Sequence, residues 1–222
     1  MKTTRIAVFA VFVVLVGQTV SAAAPADEAQ EILKAAGVSG GLVVHLGCGD
    51  APGLTAALRA SDAYVVHGLS RDAEAVAGAR KAFLAKGVYG PVAVMHWTGK
   101  GLPYADNLVN LLVAADLGDV AMDEVRRVLA PGGVAMVAGK KTVKPRPDTI
   151  DEWTHHLYGP GGNAVGHDTE VGPPRHLQWT AGPLWARSHG WTPSVSAMVS
   201  ARGRFFAICD ETLACVDGTV PS

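Results

Sequence analysis

His45-Leu46-Gly47-Cys48-Gly49-Asp50 follows the apolar run Leu42-Val43-Val44, and this stretch decides how the whole chain reads. A short aliphatic run that stops at two closely spaced glycines predicts a buried strand entering a tight turn. Glycines there let the backbone come close to a ligand, and the helix that follows offers free N–H groups. In an open parallel sheet, ligands sit beyond the carboxyl ends of the strands, where the strand order reverses. The first strand-to-helix turn is therefore where a site is expected.

The same texture repeats outward from that turn. Upstream, residues 27–36 have helix-forming composition and stop at Gly37. Downstream, residues 54–60 carry Leu54, Ala57 and Leu58 at helical spacing, and residues 63–69 form a second apolar run. Asp72 is placed to cap a helix whose stripe is Ala75, Val76, Ala79, Phe83 and Leu84. Residues 91–96 and 108–114 predict two more strands. Residues 120–129 predict a helix with Val125, Val128 and Leu129 inward, stopped by Pro131-Gly132-Gly133 ahead of a fifth strand at 134–138. Strands that are apolar on both faces and alternate with helices predict an α/β fold, a Rossmann-like doubly wound parallel sheet.

The flanks differ from this body. Lys2 and Arg5 precede an uncharged run over residues 6–17, and Val20 and Ala22 fit the −3/−1 pattern of a cleavage site. This predicts a signal peptide over residues 1–24, with no stable membrane span after its removal and export to a bacterial periplasm. After Gly139 the chain turns basic and proline-containing, so residues 140–152 read as a linker. Residues 153–222 hold four of the five tryptophans, and only 198–216 alternate as strands do. A net charge of −1 leaves no broad basic surface, which argues against a nucleic-acid partner. Of the three cysteines, Cys209 and Cys215 read as strand thiols, with a bridge between them as the alternative.

Two further blocks sharpen the assignment. Leu102-Pro103-Tyr104-Ala105-Asp106-Asn107 precedes the fourth strand, and Glu124-Val125-Arg126-Arg127-Val128-Leu129-Ala130-Pro131-Gly132-Gly133 precedes the fifth. With the glycine turn, in this order, they resemble the class I S-adenosylmethionine (SAM)-dependent methyltransferase superfamily, type 11 branch, over about residues 40–139, within a methyltransferase-like domain taken as residues 25–139. The resemblance implies SAM as cofactor, held around His45, Gly47, Cys48, Gly49, Asp50, Ser70, Thr98, Gly99 and Leu102. It also exposes departures. Where the family places acids, this chain has His45, Ser70 and Thr98, while Asp50 and Asp72 stand nearby in other places. A hydrogen bond to a charged group contributes about 1.5–3 kcal/mol against about 0.5–1.5 for a neutral one, so the exchange weakens SAM binding. No general base is singled out: His96 ends the third strand but reads better as a loop histidine.

The C-terminal stretch, with Glu152-Trp153-Thr154-His155-His156 and Val171-Gly172-Pro173-Pro174-Arg175-His176, resembles the entry to a pyrroloquinoline-quinone (PQQ)-type β-propeller of exported quinoprotein-like bacterial proteins. A propeller takes about 4–8 four-stranded blades of about 40–45 residues each, so residues 153–222 read as a truncated propeller-like segment and PQQ is not expected here. The histidines of this segment fit no short metal-ligand spacing, and no metal site is assigned. Two functions emerge: a SAM-dependent methyltransferase acting on a small-molecule or cell-envelope substrate, or a degenerate, non-catalytic module serving as a scaffold beside the propeller. A nicotinamide oxidoreductase is disfavoured, because residues 67–70 supply no acid about 20 residues beyond the glycine turn.

Overall fold

Alternation along the first strand sets the two sides of the molecule. In the computed structural model, which describes residues 24–99, 101–170, 198–209 and 212–217, strand β1 (Gly41–Leu46) sends Val43 to one hydrophobic cluster and Val44 and Leu46 to another. The first cluster is covered by α1 (Pro25–Ala36), α2 (Pro52–Ala57) and α3 (Ala73–Ala85), and the second by α4 (Met122–Val128). Side chains that alternate between two helix-covered faces are the reason the strands read as continuous apolar runs.

The remaining strands are β2 (Tyr64–Ser70), β3 (Val92–His96), β4 (Val109–Ala114), β5 (Leu129–Val137) and β6 (Lys140–Val143). Their order is β3-β2-β1-β4-β5-β6, parallel up to β5, with β6 antiparallel at the edge. This is the expected Rossmann-like, doubly wound sheet, with an antiparallel edge strand added. The order reverses between β1 and β4, so the switch point lies directly above the Gly47–Gly49 turn.

Local chemistry fixes the element ends. Pro25 opens α1 in its first turn, and Gly37 closes it in the left-handed region (φ 73°), donating its N–H to the Leu33 carbonyl. Asp72 caps α3 as expected, accepting from the N–H groups of Glu74 (2.8 Å) and Ala75 (3.1 Å). On α3 only Val76, Ala79 and Phe83 are buried; Leu84, expected on the same stripe, is 62% exposed, one residue past the face that Phe83 occupies.

Two boundaries differ from the sequence reading. The Pro131-Gly132-Gly133 block does not precede β5 but lies inside it, where the register against β4 shifts between Val109 and Leu111. Gly133 passes so near the Val109 carbonyl that a Cβ would come within 2.8 Å of it. Residues 140–143, read as the start of a linker, form β6, because Ala138 and Gly139 both take positive φ (47° and 73°) and reverse the chain. Lys141 of β6 then reaches α1, its Nζ donating to the carbonyls of Ala35 (3.0 Å) and Ala36 (2.7 Å).

Beyond the sheet, Trp153, Tyr158 and His167 stack edge to face, and a separate antiparallel sheet comes next. It consists of β7 (Met198–Ala201), β8 (Arg204–Cys209) and β9 (Thr212–Asp217). Arg202 and Gly203 make the first hairpin turn with φ of 51° and 78°. The expected signal peptide, three of the tryptophans and the propeller-like motif at 171–176 lie outside the described residues. No described helix is long and apolar enough to cross a membrane.

Candidate functional site

A cavity of about 710 Å³ opens above the carboxyl ends of β1, β2 and β4, at the switch point. Its floor is His45, Leu46, Leu69, Ser70, Val113 and Ala114; its wall includes Ile32 and Glu28 of α1. The glycine turn forms the near edge. Gly47 needs its left-handed backbone (φ 86°) and has nothing within 4 Å of where a side chain would start, so the turn presents bare backbone. Gly49 serves packing instead: a Cβ there would meet Ser70 Oγ at 2.5 Å.

Of the nine residues singled out in the sequence, His45, Gly47, Asp50 and Ser70 line this cavity. His45 is 4% exposed, and burial holds its imidazole down at about 4, well below the ordinary histidine range. Ser70 Oγ accepts from the Asp72 N–H (3.2 Å), which leaves its own hydrogen to donate.

The other expected residues do different work. Cys48 is fully buried under the turn, against Gly68, where a Cβ would come within 2.6 Å of its own; burial pushes its thiol up to about 11, which leaves it unreactive. Thr98 is exposed and outside the lining, because the loop turns away at Gly99 (φ 82°). Gly99 is buried against the Arg71 guanidinium rather than facing the cavity. Leu102 belongs to the core, and its N–H donates to Glu124 Oε1 at 2.8 Å. His96 is exposed beside β2, its Nε2 3.1 Å from the Arg71 carbonyl, and does not line the cavity.

Other cavity residues escaped the sequence reading. Arg71 lies over the Trp97 ring (5.6 Å) and pairs with Asp119 (3.2 Å), so its guanidinium spans the ends of β2, β3 and β4. Asp72, Asp116 and Glu28 also line the space, so with Asp50 the cavity carries four carboxylates against the one guanidinium. A weak signal was present: Arg71 and Asp72 directly follow the second strand, and Asp116 follows the fourth by two residues. Nothing local marks Glu28, which reaches the cavity only because α1 packs against α2.

The two sequence blocks flanking the fourth strand turn out to be one junction. Arg127 donates to Glu124 through Nε and Nη2 (both 2.8 Å), to Asp106 (2.6 Å), and to the carbonyls of Tyr104 (2.9 Å) and Leu102 (3.1 Å). The guanidinium holds the Glu124 carboxyl down at about 2. The junction shapes the loop that carries Trp97 toward the cavity, whose indole N–H donates to the Gly101 carbonyl (2.5 Å).

No family model matches the chain, and no curated protein matches it. Solved structures similar to it include a Methanococcus maripaludis protein assigned as an S-adenosyl-L-methionine-dependent methyltransferase (21% identity over 51% of this chain and 54% of that one, TM-score 0.45). A SAM-dependent methyltransferase from Aquifex aeolicus is similar at 20% identity, over 50% of this chain and 62% of that one, with TM-score 0.42. The geranyl diphosphate C-methyltransferase of Streptomyces coelicolor A3(2), in complex with Mg2+, geranyl diphosphate and S-adenosyl-L-homocysteine, is similar at 18% identity over 50% and 44%, TM-score 0.45. The chain spans about half the length of these structures. These likenesses concern the fold alone; the chemistry of the cavity is set by its own residues.

Proposed function

We propose that residues 25–143 form a SAM-binding methyltransferase module of an exported protein, acting on a small-molecule or cell-envelope substrate. The observation that carries this reading is the cavity itself: about 710 Å³ at the switch point, edged by a turn of bare backbone and ringed by carboxylates. The family's acids are missing from the strand ends, yet Asp72 and Asp116 return negative charge to the same space from the adjoining turns. Gly47, Asp72, Asp116, Trp97 and His45 are the residues that would hold the cofactor. When bound, SAM supplies an electrophilic methyl group on a sulfonium. The protein's part is to fix two reactants in line and exclude water, which demands no general base. Trp97 and Leu69 give the cavity its apolar lining, and the carboxylates favour a cationic guest.

A second reading, a non-catalytic scaffold beside a propeller, draws on Ser70, whose hydroxyl oxygen already accepts within its own turn. Calorimetry of the full chain with SAM and S-adenosylhomocysteine decides between the two readings. Saturable binding, weakened about tenfold by Asp72→Asn and untouched by Thr98→Ala, supports the enzyme module. Asparagine keeps the helix cap and removes only the charge. Absence of heat with either ligand sinks the proposal in favour of the scaffold.

A further inference from the structure

His45 presents the cavity with a chemistry that an acid at the same place would not. Its Nδ1 lies 2.8 Å from Thr55 Oγ1, both groups buried between β1 and α2. Oγ1 also lies 3.1 Å from the Ala51 carbonyl, which can only accept. A hydroxyl has one hydrogen, so when it donates there it can only accept from His45. In that arrangement Nδ1 of His45 carries the ring hydrogen, and Nε2 keeps a bare lone pair. Among the described residues, Arg59 Nε is the one sealed side-chain polar atom without a partner. The Nε2 of His45, on a residue that lines the cavity and makes no second hydrogen bond, is thus open to that space.

We propose that His45 Nε2 is the acceptor by which the cavity reads its ligand, that Thr55 is the positioning residue that locks its tautomer, and that the ligand sets an ammonium or hydroxyl hydrogen against it. The proposal deepens the SAM reading of the same cavity and rests on it for the identity of the ligand. A carboxylate or phosphate oxygen at this point would face the lone pair acceptor to acceptor. The charged groups around the same space, Glu28, Asp50, Asp72 and Asp116 against Arg71, act in the same direction and favour a donor-bearing, cationic group.

The test uses the full chain labelled with 15N-histidine, in two-bond proton–nitrogen correlation at neutral pH. The expected His45 pattern has the hydrogen on Nδ1 and none on Nε2. S-Adenosylhomocysteine, with both ammonium and ribose hydroxyls, should move the Nε2 resonance, and adenosine, with the hydroxyls alone, tells which donor is responsible. Thr55→Val should mix the tautomers and weaken S-adenosylhomocysteine binding about fivefold, whereas Thr55→Ser should restore both. A hydrogen on Nε2, or bound ligand that leaves Nε2 unmoved, overturns the proposal. If neither probe binds, the SAM reading has failed, and the acceptor is judged by its tautomer and by diethyl pyrocarbonate, which attacks a bare, accessible imidazole nitrogen. An unmodified His45 then overturns it as well.

Discussion

The sheet domain and the segment after it solve burial in opposite ways. Among the residues whose burial is described (up to Ala207), every buried hydrophobic lies between Ala29 and Met136, and all but Ala130 fall in two clusters pressed on either face of one sheet. The contacts given for described residues after β6 are polar and aromatic. Arg146 pairs with Glu152 (2.7 Å), the Arg202 N–H donates to the same carboxylate (2.7 Å), and the Ser200 N–H donates to the Trp153 carbonyl (2.7 Å). Leu157, Val165, Met198 and Phe205 stay exposed there. Area removed from water is the main favourable contribution to folding, so stability resides in the first region and local shape in the second.

The comparison breaks most sharply at two phenylalanines. Phe83→Ala, which empties a fully buried site on α3, should cost about 3–5 kcal/mol in urea unfolding of the full chain. Phe205→Ala, at a residue 40% exposed, should change stability by no more than about 0.5 kcal/mol. Equal losses at the two positions would mean that the second region has a core of its own.

Acid should strike the first region through His45. Its folded value of about 4 lies below the ordinary 6.5, so the unfolded chain binds the proton more readily. The associated stability is complete above pH 6.5 and is lost as pH falls toward 4, about 3 kcal/mol in all. Glu124, held near 2 by Arg127, loses its contribution only below its ordinary 4.5, so the two windows separate. Urea midpoints at pH 7 and pH 4.5 should differ strongly for the native chain and far less for His45→Asn. A parallel slope in both proteins would place the acid sensitivity elsewhere.

A small effect is also expected from removing the second region altogether. A chain ending after Pro145 keeps Lys144, whose backbone pairs with Gly132 and Gly133 and whose Nζ donates to Asn107 (2.5 Å) and Leu129 (2.8 Å). It should unfold cooperatively within about 1 kcal/mol of the full chain. A broad or absent transition would show that the sheet leans on the C-terminal segment.

The fold was legible because its cause is periodic: aliphatic runs of strand length, each ended by a turn signal, leave few arrangements other than a helix-covered parallel sheet. The features that were missed have non-local causes. The strand character of Lys140–Val143 is invisible in a basic, polar stretch, since it comes from an edge position where one face meets water. The cavity was legible only along the strand ends. Four of its nine expected residues line it, because strand position predicts where a backbone ends but not which way the next loop turns. Thr98 and Leu102 were displaced by the turn at Gly99 and by the pull of Glu124 on the Leu102 N–H. Arg71 and Trp97 went unnoticed because their pairing exists only once β2 and β3 lie side by side.

Lys141 gives the molecule a timetable. The carbonyls it caps, those of Ala35 and Ala36, lie 106 and 105 residues earlier in the chain. A nascent polypeptide emerges from its amino end, so the first helix is made with its last turn unfinished and waits for the sixth strand. That helix is also the wall that carries Glu28 and Ile32 into the cavity. The pocket is therefore finished by one of the last residues of the sheet to be synthesised.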